Sequence, residues 1–374
     1  MIKKFKDLSS IGISTIVTTA IGAVFWFFMA SILGAEKYGE VSYLISIGVI
    51  ASTFALAGNA NTLIVYVSKG DKIQTTIFLI SITASVIAAV ALFLIVDNIE
   101  IGIYVIGYVI FSLAIAELLG KKLYAEYAKI LITQKILMVG LSVGLFYTIG
   151  FQGILLGIAL SFFPYSFMLY KGFKKIKVDF GTVKKRSGFM INSFTLDIAG
   201  AFHGSFDKII IAPMLGFALL GNYQLGIQFV AVLNIIPAVI YTYTLSQDAS
   251  GNSNLMVKKA IILFSVIIAG LSIVLAPILL PIVFPEYKEA VEIIQIMCLA
   301  VIPITIVSTY VSKFLGSGNS KIVLIGSGVY IGIQVPTIIV LTTMFGVNGT
   351  AASIVIANFV HAIYFILINR SKIV

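Results

Sequence analysis

Charge is what this chain has least of: Asp, Glu, Lys and Arg together make up 11% of its 374 residues, and the mean hydropathy is +1.10. Soluble domains carry about twice that charged share, so a water-facing surface cannot be built and a soluble globular architecture is excluded. Cysteine occurs once, as Cys298 in an apolar stretch, which excludes a disulfide framework and any paired-thiol metal or redox motif. Period-two alternation is missing from the apolar runs, which excludes the strands of a membrane barrel. A phosphate-cradling loop is missing too. The glycines from Gly326 to Gly332 have the spacing of close helix packing, so neither a nucleotide site nor another cofactor is expected.

What is present is 60% hydrophobic residues, arranged in runs of the roughly 20 residues that a bilayer requires of a helix. The start, with Lys3, Lys4 and Lys6 ahead of an apolar run over 11–34, has the outline of a signal peptide. The run is too long and has no small-x-small cleavage site, so it reads as a retained first helix. Spans are expected at 11–34, 41–67, 73–96, 101–119, 127–149, 152–170, 188–214, 217–245, 260–284, 291–313, 321–345 and 350–369. The expected fold is therefore an all-α integral membrane protein of about twelve transmembrane helices.

The basic residues orient these spans. With the amino terminus inside, only Lys37 and Lys288 of the 25 Lys and Arg fall in outer turns, and Lys135 and Lys208 lie within spans. Every other one falls inside, as the positive-inside rule requires. Both termini are thus expected in the cytoplasm and the chain in the cell membrane. Scattered over turns that face an anionic leaflet, these residues also account for the net charge of +10 without nucleic acid as a partner.

One long polar connector, 171–187, carries seven basic residues and divides the spans six and six. It predicts an amino-terminal lobe over 1–170 and a carboxy-terminal lobe over 188–374. Two pairs of landmarks point to an internal duplication across it. Leu33-Gly34 followed by Gly39 matches Leu215-Gly216 followed by Gly221 at an offset of 182, and Gly150-Phe151-Gln152-Gly153 matches Gly346-Val347-Asn348-Gly349 at 196. An even number of spans in each half makes the two repeats parallel, a natural pair of rocking bundles around a central cavity.

The chain resembles the polysaccharide-exporter and O-antigen (oligosaccharide-lipid) flippase branch of the multidrug/oligosaccharidyl-lipid/polysaccharide exporter superfamily. The resemblance rests on Leu33-Gly34-Ala35-Glu36-Lys37-Tyr38-Gly39, Phe206-Asp207-Lys208-Ile209-Ile210-Ile211, Leu215-Gly216 through Gly221-Asn222-Tyr223, Pro237, and Phe284-Pro285-Glu286-Tyr287-Lys288-Glu289-Ala290. The chain departs from that branch in its trimmed loops and in Phe284-Pro285 where Phe-Gly is more usual. What the resemblance implies is a flippase that moves a polyprenyl-(pyro)phosphate-linked oligosaccharide from the inner to the outer leaflet. The implied partners are that lipid-linked sugar, membrane lipids and glycan-assembly enzymes.

Such transport breaks no bond and needs a polar cavity, so ionisable residues inside spans are the candidates. Span seven holds Asp197, His203, Asp207 and Lys208. Asp197 stands about 14 Å into the membrane, counted from Gly188 at 1.5 Å per residue. His203 and Asp207 are four apart, and Lys208 returns to within roughly 20° of Asp197 at 100° per residue, so two polar stripes are expected on this helix. Lys135 is the only cation well inside a span of the first half; it either pairs with Glu117 or meets a phosphate. Lys135, Asp197, Asp207 and Lys208 are accordingly the expected substrate contacts, and His203, His361 and Glu117 the candidates for proton or ion coupling. No metal site is expected.

Two other functions fit the same architecture. An ion-coupled exporter of small amphiphiles would call for an acidic cluster at membrane depth in the first half, and none is evident. An integral-membrane glycosyltransferase or polymerase would need catalytic carboxylates or a sizeable outer loop, whereas the outer turns are short and their acids dispersed. The chain is therefore expected not to be an enzyme.

Overall fold

The structure is a computed structural model describing residues 2–371 except 176, 236, 239–240, 242–243, 245–247, 249–254, 288 and 318. Lys288, Lys372 and most of the polar loop after Gln247 thus lie outside the described residues, as do the side chains of Lys3, Lys4, Lys6, Lys171, Lys174, Lys175 and His203. Every described element is helical, and the described apolar helices fall within or across the expected spans, the helix Phe217–Leu233 covering the first part of span eight. Eight are long and apolar enough to cross a membrane; two of these are 45 and 51 residues long, Gly12–Leu56 running through span one into the first part of span two and Lys321–Ser371 through spans eleven and twelve. The chain is a multi-pass membrane bundle.

Both long helices turn at a glycine. Gly34 has φ 69° and ψ 171°, and Gly216, between spans seven and eight, has φ 83° and ψ 170°. Gly150, between spans five and six, has φ 75° and ψ −149°, and Gly346, between eleven and twelve, has φ 59° and ψ −141°. A side chain is strongly disfavoured in this part of conformational space, so glycine is required at each turn. The members of each landmark pair thus share a backbone conformation as well as a motif. The following contact repeats too: a Cβ at Gly153 would overlap the Leu145 carbonyl, and one at Gly349 the Leu341 carbonyl.

The chain folds as two compact units, Met1–Gly22 with Leu44–Phe206, and Ala23–Tyr43 with Asp207–Val374. The first has a core in which Ile77, Ile101, Val105, Leu113 and Ile154 are fully buried. The second is centred on Ile211, Leu220, Tyr223, Ile293, Met297 and Ala351.

The segments that carry the family resemblance converge within the second unit. A Cβ at Gly39 would collide with the Phe217 carbonyl, and one at Gly221 with the Ala35 carbonyl, so the two Leu-Gly turns pack backbone on backbone in a reciprocal contact. The Tyr287 hydroxyl donates to the Ala30 carbonyl at 2.9 Å, and Asn222 Nδ2 donates to Glu289 Oε2 at 3.2 Å. Tyr38 is buried with its ring edge-on to Tyr287 at 6.2 Å. These motifs form one packed knot, and their contribution is to hold the unit together.

Candidate functional site

Span two is not one helix. Its first part ends at Leu56, Ala57 and Gly58 adopt left-handed conformations with φ 46° and 77°, and the helix resumes as Asn59–Ser68. A non-glycine residue there costs about 1–3 kcal/mol and persists only where the surroundings hold it. Here the surroundings are span seven: a Cβ at Gly58 would clash with the Met190 carbonyl and the Phe194 amide, so glycine alone lets the break lie against the helix Ser187–Ala201. Aromatic pairs fasten either side of it, Phe54 with Phe194 at 5.6 Å and Tyr66 with Phe189 at 5.4 Å. Beyond Tyr66, Arg186 Nη2 is 3.0 Å from Asp71 Oδ2, and its guanidinium lies 4.5 Å from the Tyr66 ring centre.

This close approach brings Asn61 to Asp197. Asn61 Nδ2 donates to Asp197 Oδ1 at 2.9 Å. Asn61 stands in the first turn of the resumed helix, whose cap residue Gly58 supplies no side-chain hydrogen bond. That turn carries amide groups without helical acceptors, and it favours negative charge beside it.

The pair lines a cavity of about 460 Å³ inside the first unit, walled by spans two, four and seven. Its polar lining comprises Thr53, Asn61, Tyr108, Ser112, Asp197 and Ser205, with Leu56 and Ile115 among the apolar residues. Among the described residues, Asp197 is the only charged side chain on this wall, and the lining includes no Lys or Arg. The Tyr108 ring is itself held, stacked on Tyr104 at 5.9 Å and met edge-on by Phe162 at 5.8 Å. Oxygen acceptors, hydroxyls and an aromatic residue on one wall can bind a polyhydroxylated or cationic group.

The other expected site residues lie elsewhere. Asp207 and Lys208 belong to the second unit and are buried, 5% and 7% exposed. Lys208 Nζ lies 3.4 Å from Asp207 Oδ1, the Lys208 backbone amide donates to the same oxygen at 2.9 Å, and the Tyr223 hydroxyl donates to Oδ2. His361 is buried against the rings of Tyr330 and Phe365, at 5.7 and 5.0 Å. Glu117 is paired with Lys121, one helical turn on, and not with Lys135. Lys135 is half-buried in span five; its Nζ lies 3.9 Å from Met138 Sδ and has no ion pair among the described residues. No metal-binding group of three or more His, Cys, Asp or Glu occurs among the described residues.

A π-helical segment, Phe202–Phe206, interrupts span seven. Each π turn takes an extra residue, so a count of 100° per residue cannot be carried from Asp197 to Lys208, and the expected alignment of their faces is lost. Thr53, Tyr108, Ser112 and Ser205 were not singled out by sequence. The signal that finds this wall is the run Ala57-Gly58-Asn59-Ala60-Asn61 in mid-span, since glycine and asparagine at membrane depth mark a discontinuous helix.

No family model and no curated protein matches the sequence. Solved structures do match the fold. An inward-facing MATE-family multidrug resistance transporter of the MOP superfamily is 17% identical, with a TM-score of 0.71 over 98% of this chain and 97% of that one. The lipid II flippase MurJ, in an inward closed conformation, is 14% identical, with a TM-score of 0.78 over 96% and 87%. A MOP-superfamily transporter from Pyrococcus furiosus, described as having a binding pocket of reverse polarity, is 15% identical, with a TM-score of 0.62 over 98% and 95%. At these identities the likeness speaks to architecture, and the chain has the fold of the MOP-superfamily transporters.

Proposed function

We propose that this chain moves a polyprenyl-(pyro)phosphate-linked oligosaccharide from the inner to the outer leaflet of the cell membrane. Two six-span lobes, 1–170 and 188–374, joined by the basic linker, would open alternately to either side, with both termini in the cytoplasm. The observation that carries this reading is the cavity: its carboxylate, amide and hydroxyl groups beside an aromatic residue match what a sugar head group offers, inside a fold shared with a lipid II flippase. Asp197 is the proposed head-group contact. Lys135 is the proposed phosphate contact, Asp207 and Lys208 further polar contacts, and His203, His361 and Glu117 proton- or ion-coupling groups. Glycan-assembly enzymes would supply and take up the lipid-linked sugar.

A second reading, export of small cationic amphiphiles, is favoured by one observation, that among the described residues the only charge on the cavity wall is negative. Proteoliposomes separate the two. Protein-dependent movement of a short-sugar polyprenyl pyrophosphate supports the flippase, and Asp197→Ala or Lys135→Ala should abolish it at unchanged membrane abundance. Full activity in both variants would remove these residues from the site, and movement of cationic dyes alone would select the second reading.

A further inference from the structure

On the flippase reading, we infer that the head group carried by this chain presents a free primary ammonium, as an unacetylated amino sugar does, and that Asp197 is the residue that selects it. A carboxylate has about four acceptor positions, and the side chain of Asp197 is given one donor among the described residues, Asn61 Nδ2 on Oδ1. Its other oxygen is left for a ligand on a wall whose described residues include no Lys or Arg. A phosphate there would meet a like charge with nothing to offset it. A neutral sugar hydroxyl would make one ordinary hydrogen bond.

An ammonium makes a charge-assisted bond and neutralises the carboxylate at membrane depth, where an unpaired charge is expensive. Two further features of the wall suit a cation. Tyr108, its ring held by Tyr104 and Phe162, lines the same wall, and aromatic rings attract ammonium groups. Asn61 donates its amide to Asp197 and so keeps a carbonyl oxygen of its own, and the Thr53 hydroxyl, which donates to the Val49 carbonyl at 2.9 Å, keeps its lone pairs. The wall is therefore rich in acceptors, the complement of an ammonium with three protons to donate. At about 460 Å³ the cavity is within the range of pockets that enclose small ligands.

The test compares two substrates that differ in one acetyl group, polyprenyl-pyrophosphoryl glucosamine and its N-acetyl form, in proteoliposomes of purified full-length protein. Wild type should move the free-amine substrate about tenfold faster or more, the discrimination expected of a charge-assisted bond. Asp197→Asn should remove that preference and Asp197→Glu should restore part of it. Equal rates for the two substrates in wild type, or a preference unchanged in Asp197→Asn, would overturn the inference and leave the flippase reading standing. Movement of neither substrate would overturn the flippase reading itself.

Discussion

Replacing Gly39 or Gly221 by Ala should damage the second unit, and the two should do so about equally. Each glycine lies against backbone of the opposite Leu-Gly turn, Gly39 against Phe217 and Gly221 against Ala35. The obstacle in both cases is a carbonyl group within a helix, which cannot rotate away as a side chain tip can, so the helices must separate. Overpacking of a tight core costs about 1–3 kcal/mol, and a backbone obstacle places this pair at the upper end. At about 2 °C per kcal/mol for a chain of this size, each variant should melt about 6 °C lower. Thermal unfolding in detergent, followed by size-exclusion fluorescence, reads the shift. Gly328→Ala is the control: no atom lies within 4 Å of a Cβ there, and alanine favours the helix by about 1 kcal/mol. Melting of Gly39→Ala and Gly221→Ala at or above the temperature of that control would refute the reciprocal contact.

Three further outcomes follow from the same geometry. Breaking the buried Asp207–Lys208 pair one residue at a time, with Asp207→Asn or Lys208→Met, should cost about 3–5 kcal/mol each, while the double variant recovers most of it; a double-mutant cycle in detergent measures the coupling, and additive losses would deny the pair. Tyr223→Phe removes the other donor to Asp207 and should cost about 1–3 kcal/mol by the same melting assay. In the linker, hydrogen bonds from the Thr182 side chain and backbone hold the Asp179 carboxyl below its ordinary value of 3.8. Its stabilisation is therefore present above that value and lost as pH falls through the lower folded one, so hydrogen exchange at Thr182 should quicken only below about pH 4, and in Asp179→Ala at every pH.

The parts of the fold that were legible in sequence are those imposed by the solvent or by the backbone. A bilayer demands long apolar runs, so the spans could be counted, and the turn conformations at Gly34, Gly150, Gly216 and Gly346 admit only glycine, so the duplication could be seen. The break at Ala57–Gly58 leaves only a faint trace in the sequence, the glycine and asparagines of 57–61, because mean apolarity continues through it and the conformation is enforced by span seven. Asp197 could be found as an acid at membrane depth, but its partner could not: Asn61 is 136 residues away, and only packing relates them. Likewise, burial identified Asp207 and Lys208 as expensive residues without revealing that they neutralise each other or that Tyr223 completes the pair.

The two halves also differ in what they have kept. Their turns agree to within about ten degrees in ψ at positions 182 or 196 residues apart, whereas the polar chemistry is not repeated: Asp197, Asp207 and Lys208 all lie in the second half of the sequence, and 182 residues before Asp207 and Lys208 stand Phe25 and Trp26. This asymmetry has a physical cause. A glycine at φ near +70° has no substitute, because any side chain strains the backbone and the turn is lost together with the span it starts. A polar group at membrane depth can be exchanged for an apolar one without cost to folding, and often with gain, as long as both members of a pair change together. Duplicated membrane bundles are therefore free to keep one scaffold twice while a given membrane-depth charge stands in only one copy, and the wall around Asp197, to which both halves of the sequence contribute, is where such a charge has room beside it.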